Sequence, residues 1–172
     1  MSDAHLPRLQ LLKNLGFNPR TILDLGAYQG KWTEMAHQLW PNANIFMVEA
    51  NEDQRETLTQ TAGAIGFEMA LLGSETGKKA LYYVADYEFP TGNSIYKEQT
   101  HFFDNYEIRN LPIVTLDSLV ERRKLRNIDF IKIDTQGSEL DIIKGGKKQF
   151  PKRNLSFLRH KTLNTTLALQ IH

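Results

Sequence analysis

Two rhythms of hydrophobic and polar positions alternate along the chain. Apolar runs at residues 21–26, 44–49, 66–73 and 129–134 read as buried strands. Between them, residues 31–39 and 52–61 carry helical periodicity, closed by Pro41 and Gly63. Leu6, Leu9, Leu12 and Leu15 recur at helical spacing before Gly16, which predicts an N-terminal helix docked on the core. Strand, helix, strand, helix, strand is the order of a parallel sheet with crossover helices. The rhythm then breaks. Residues 79–84 read as a strand, and residues 85–110 as a long excursion with little regular structure. A short strand at 111–114, a helix at 116–123, the strand at 129–134 and a helix at 139–144 ending on Gly145-Gly146 complete the pattern.

The chain has 172 residues, which fits one domain with its own core. It has no cysteine, excluding disulfides, thiolate metal sites and thiol catalysis. Its five histidines, at 5, 37, 101, 160 and 172, form no pair at helical ligand spacing, so no metal is expected. No apolar run is long enough to span a membrane and no signal-peptide core opens the chain, so the expected location is cytoplasmic. The net charge of +1 conceals an asymmetry. Residues 1–142 carry 20 acidic and 14 basic groups, residues 143–172 seven basic and no acidic ones.

The candidate chemistry lies where strands end. In open parallel sheets, ligands bind at the carboxyl ends of strands, where strand order reverses. The stretch Leu23-Asp24-Leu25-Gly26-Ala27-Tyr28-Gln29-Gly30 leaves the first strand through two glycines. They allow a tight turn and a helix start with backbone N–H groups facing a ligand. Glu49 ends the second strand, where a carboxylate can accept from both hydroxyls of a ribose. The alternative is an ordinary loop and a helix-capping glutamate. A dinucleotide fingerprint needs G-x-G-x-x-G, but Tyr28 occupies the second glycine position and obstructs a pyrophosphate. No P-loop motif occurs. A nucleoside without a phosphate chain remains.

The D-L-G-A-x-x-G stretch followed by Val48-Glu49-Ala50-Asn51 resembles the S-adenosylmethionine site of class I methyltransferases. Val114-Thr115-Leu116-Asp117, residues 129–139 (DFIKIDTQGSE) and Lys144-Gly145 narrow the resemblance to FkbM-type methyltransferases, over about residues 20–147. The resemblance implies a Rossmann-like, doubly wound α/β fold with a mostly parallel sheet. It implies S-adenosylmethionine as cofactor, with Asp24, Gly26, Ala27, Tyr28 and Gly30 in the loop beneath it, Glu49 on the ribose, and Ala70 and Leu71 flanking the adenine. It implies a hydroxyl acceptor on a sugar, glycan or secondary metabolite. Such an acceptor needs a base, and Asp134, ending the fourth strand, is the candidate. Lys132 shares its strand face and could pair with it; Glu139 reads as a first-turn helix acid. Asn93, Ser94, Tyr96 and His101 in the excursion are candidate acceptor contacts, with His101 an alternative base.

After Gly146 the family pattern stops. Residues 148–172 form a basic tail, read either as a shortened or aberrant C-terminus on a methyltransferase-like domain (1–147) or as a hairpin with Leu155/Phe157 and Leu167/Leu169/Ile171 alternating. The first reading is the expectation, so the sheet should lack some C-terminal strands and keep an open edge. That edge could pair two copies. Three rivals follow: a truncated, non-catalytic protein that binds the cofactor weakly or not at all, a nucleotide-dependent oxidoreductase, and a module gripping an anionic partner with its basic tail. No residue pattern indicates nucleic-acid readout.

Overall fold

The computed structural model describes residues 5–85, 93–96 and 105–150, together with the strand backbones of 155–159 and 167–171. Three parallel pairings form the centre of the main sheet. Strand β1 (Thr21–Leu25) lies between β2 (Asn44–Glu49) and β7 (Ile128–Ile133), and β3 (Ala64–Met69) flanks β2. The full order is β3-β2-β1-β7-β9-β8, with β8 (Leu155–Arg159) and β9 (Leu167–Ile171) antiparallel. The hairpin reading of the C-terminal residues therefore holds over the expected open edge. β9 pairs with β7 and covers the edge that suggested a homodimer.

The sheet is apolar on both faces, as parallel strands between helices must be. Leu23, Leu25, Phe46, Val48, Ile131 and Ile133 pack against α4 (Leu116–Arg122) and α5 (Glu139–Gly145). On the other face Ile22, Ile45 and Phe130 meet α2 (Lys31–Leu39) and α1 (Leu6–Asn14). Trp40 and Phe17 stack edge-on against Phe130, with ring centroids 6.1 and 5.6 Å away. Helix α1 docks as expected, but through Leu9 and Leu12; Leu6 and Leu15 are exposed.

Three elements differ from expectation. The helix at 52–61 is a 3-10 turn (Glu52–Gln54), capped by Asn51 Oδ1 accepting from Asp53 N, followed by a short α3 (Arg55–Thr59). The run at 66–73 is two strands. β3 ends at Met69, and β4 (Leu71–Leu72) enters a second sheet of order β4-β6-β5. Strand β6 (Tyr106–Val114) is much longer than residues 111–114, and runs antiparallel to β5 (Lys79–Ala85). The sequence pattern predicts a loop over its polar half, yet Arg109 fastens it across the fold, donating to Asn51 Oδ1 (2.8 Å) and pairing with Asp53 (2.9 Å). Among the described residues no helix is long and apolar enough to cross a membrane.

Candidate functional site

Strand order reverses between β1 and β7, since β1 leads outward to β2 on one side and meets β7 on the other. A cleft of about 580 Å³, its solvent-open part included, lies at this point above the carboxyl ends of the strands. Gly26, Tyr28, Glu49, Ala70, Leu71 and Asp134 all line it. The other three residues expected in the site do not. Asp24 is wholly buried beneath the glycine loop, Ala27 packs on Met47 and Leu58, and Gly30 caps α2.

The glycine loop is held from the two strands that flank β1. Gly26 N and Ala27 N donate to Val48 O (2.9 and 3.1 Å), and Tyr28 N to Glu49 Oε2 (2.8 Å). From β7, Lys132 Nζ donates to Gly26 O (2.8 Å). Gly26 has φ +77°, and a Cβ there would stand 2.0 Å from Asp134 O, so no other residue fits. Tyr28 and Gln136, both cleft residues, also adopt positive φ, +50° and +53°. Strained backbone of this kind gathers at functional sites.

Asp24 and Lys132 sit opposite each other in the β1–β7 register, which sequence alternation alone does not reveal. Lys132 Nζ lies 2.9 Å from Asp24 Oδ1, and Thr33 Oγ1 donates to Asp24 Oδ2 at 2.8 Å. Lys132 therefore pairs with Asp24 rather than Asp134. Burial pulls the Lys132 ammonium down, but the carboxylates of Asp24, Asp134 and Glu49 outweigh it and hold the group above its ordinary value.

Glu49 is buried and accepts three backbone N–H groups, from Tyr28, Ala50 and Asn51 (2.8, 2.9 and 2.8 Å). Burial raises its pKa above the ordinary 4.5, against the pull of those amides and of Lys132. Asp134 is partly exposed, and its Oδ1 accepts from the Gln136 amide (3.2 Å). Glu139 is a first-turn acid of α5, as expected, and it is buried, accepting from Thr135 N and Gly137 N (3.2 and 3.1 Å). The sequence motif around Glu139 was legible; its inward turn was not.

One wall comes from the second sheet and the excursion. Tyr82, Asn93, Ser94 and Ile95 line the cleft. Burial, with the charge of Glu49, pushes the Tyr82 hydroxyl upward. Ser94 bridges to Tyr83 on β5 and donates its hydroxyl to Gln136 O (2.7 Å), while Tyr96 OH donates to Asp141 Oδ2 (2.8 Å). Two of the four excursion candidates thus reach the cleft and Tyr96 clasps α5; His101 lies outside the described residues. Tyr82 was missed, although the alternation of Tyr82 and Val84 on β5 marks an inward face.

The cleft fits a nucleoside sulfonium. Its described lining holds two carboxylates, no lysine, arginine or histidine, and two buried polar atoms without partners, Asn93 Nδ2 and Thr135 Oγ1. A cation with additional polar groups suits that donor set; a diphosphate does not.

The model of the methyltransferase FkbM domain matches residues 24–166. Among solved structures, Thermoplasma acidophilum 1320 is similar at 12% identity and TM-score 0.40, covering 95% of this chain and 82% of that one. The precorrin-6y C5,15-methyltransferase of Geobacter metallireducens GS-15 is similar at 14% identity and TM-score 0.42, covering 96% and 86%. M. capricolum TrmK in complex with S-adenosyl-homocysteine is similar at 14% identity and TM-score 0.37, covering 96% and 67%. No curated protein matches the sequence. The family match spans most of the chain: it belongs to the FkbM methyltransferase domain family, and is an S-adenosylmethionine-dependent methyltransferase.

Proposed function

We propose that the protein methylates a hydroxyl of a sugar, glycan or secondary metabolite, with Asp134 as the base. The observation that carries this reading is one cleft bounded by the end of β2 at Glu49 and the end of β7 at Asp134. The cofactor supplies a methyl group already activated on a sulfonium, so the protein's work is alignment and proton removal. Ala70 and Leu71 offer an apolar slot at the β3–β4 junction for the adenine. Glu49 Oε2, with one amide bonded, keeps acceptor capacity for the ribose hydroxyls. Gly26 lets the loop after β1 pass against the Asp134 carbonyl, which brings the ends of β1 and β7 together at the cleft. Asp134 takes the acceptor's proton as its oxygen attacks; Gln136, donating to Oδ1, fixes the carboxylate's orientation.

Calorimetric titration with S-adenosylhomocysteine tests the site. Wild type should bind, and Glu49→Gln should weaken binding by about 10-fold or more, the worth of a charge-assisted hydrogen bond. Asp134→Asn should bind normally but lower methyl transfer to acceptor hydroxyls by about 10²–10⁴-fold. A folded wild type that fails to bind favours the non-catalytic rival and refutes the reading.

A further inference from the structure

The cofactor carries an α-amino acid at one end, and its carboxylate must find hydrogen-bond donors in a cleft whose described lining has no cationic side chain. Two fixed carboxylates, Glu49 and Asp134, add to the negative field there. Neutral donors must therefore hold the group.

The loop amides expected to do so are largely taken. Gly26, Ala27, Tyr28 and Gly30 donate to Val48 O, Val48 O, Glu49 and Ala27 O. On the other side of the cleft Asp134 N donates to Leu25 O, and Thr135 N and Gly137 N donate to Glu139. The anion hollow after β7 is thus filled by the protein's own Glu139.

Among the described cleft residues, the buried side-chain polar atoms left without a partner are Asn93 Nδ2 and Thr135 Oγ1. Both are fixed by their surroundings. Asn93 Oδ1 accepts from Ala85 N (3.0 Å), which identifies the oxygen and turns the NH₂ away from β5. Ser94, its neighbour, ties the segment to Gln136 O. Thr135 follows Asp134 and abuts the loop, its Cγ2 3.2 Å from where a Cβ on Gly26 would stand. With adenine at Ala70/Leu71 and ribose at Glu49, the amino-acid end falls on the β1–β7 side, where Thr135 stands.

We infer that Asn93 and Thr135 form the carboxylate clamp for the amino-acid end of the cofactor. Asn93 then belongs to the cofactor site. The inference rests on the nucleoside placement proposed above. A buried donor without a partner is costly, and a carboxylate satisfies the amide and the hydroxyl at once.

Two ligands separate this role from a general structural one. S-adenosylhomocysteine has the amino-acid end; 5′-methylthioadenosine keeps the adenosine and thioether but lacks it. Thr135→Val preserves shape and removes the hydroxyl. Asn93→Asp preserves the acceptor for Ala85 N and sets a charge against the ligand's carboxylate. Each should weaken S-adenosylhomocysteine by about 10-fold or more, and leave methylthioadenosine within about twofold of wild type, which also shows that the variants are folded. Equal weakening of both ligands, or no weakening of S-adenosylhomocysteine, overturns the clamp alone. A wild type that binds neither ligand overturns the nucleoside placement and the clamp with it.

Discussion

Lys132→Met is the sharpest test of how the cleft is built. The ammonium it removes is almost fully buried and supplies two hydrogen bonds, to Asp24 Oδ1 and Gly26 O. Asp24, wholly inaccessible, would keep only the Thr33 hydroxyl. Breaking a buried ion pair from one side costs about 3–5 kcal/mol, because the remaining charge stays desolvated. That is a large share of the roughly 5–15 kcal/mol that holds a domain together. At about 2–4 °C per kcal/mol for a chain of this size, the melting temperature should fall by about 6–20 °C. Asp24→Asn with Lys132→Met removes both charges and keeps an oxygen for Thr33. The double variant should return to within about 2 kcal/mol of wild type, since a buried pair contributes little net stability over neutral groups. Urea unfolding followed by Trp32 and Trp40 fluorescence measures the cycle, compared at constant denaturant slope. A single variant that loses under about 1 kcal/mol, or a double variant as unstable as the summed singles, would refute the reading of this pair as mutually dependent.

Two further outcomes follow from the same loop. Gly26→Ala requires a left-handed alanine, about 1–2 kcal/mol, and pushes a methyl into the Asp134 carbonyl. Thermal unfolding and S-adenosylhomocysteine titration should show losses in both stability and affinity; unchanged affinity would mean that the loop does not form the floor of the site. Glu49 has a pKa raised above 4.5 in the folded state, so its contribution to stability is present below 4.5 and is lost as pH rises through the folded value. Unfolding series across that window should therefore show wild type losing stability relative to Glu49→Gln as pH rises, and parallel curves would show that burial of the carboxyl is not the dominant influence.

Much of the scaffold was legible because buried parallel strands leave contiguous apolar runs, as at 21–26, 44–49 and 129–134. Polar strands were not. Tyr106-Glu107-Ile108-Arg109 alternates, and Arg109 pairs locally with Glu107, but it is also tied to Asn51 and Asp53, and no local pattern announces those distant partners. The split between β3 and β4 is equally a matter of which sheet each half joins.

The same limit governs the site. Asp24, Glu49, Asp134 and Glu139 all lie at or near strand ends, and by residue type each is a candidate for chemistry. Their environments divide them. Asp24 is committed to Lys132 and Thr33, Glu49 accepts three backbone amides, and Glu139 accepts two. These three carboxylates knit the loops after β1, β2 and β7 into one rigid rim. Asp134 is the exception: its Oδ1 accepts from one side-chain amide, that of Gln136, and it lines the cleft. A carboxylate whose oxygens are taken up by backbone amides cannot turn to a substrate without giving up the contacts that hold those loops. One held by a single side-chain amide can accept a proton without dismantling the loops around it. That difference in commitment, invisible in a list of acids, is the physical ground for proposing Asp134 as the base and a structural part for its neighbours.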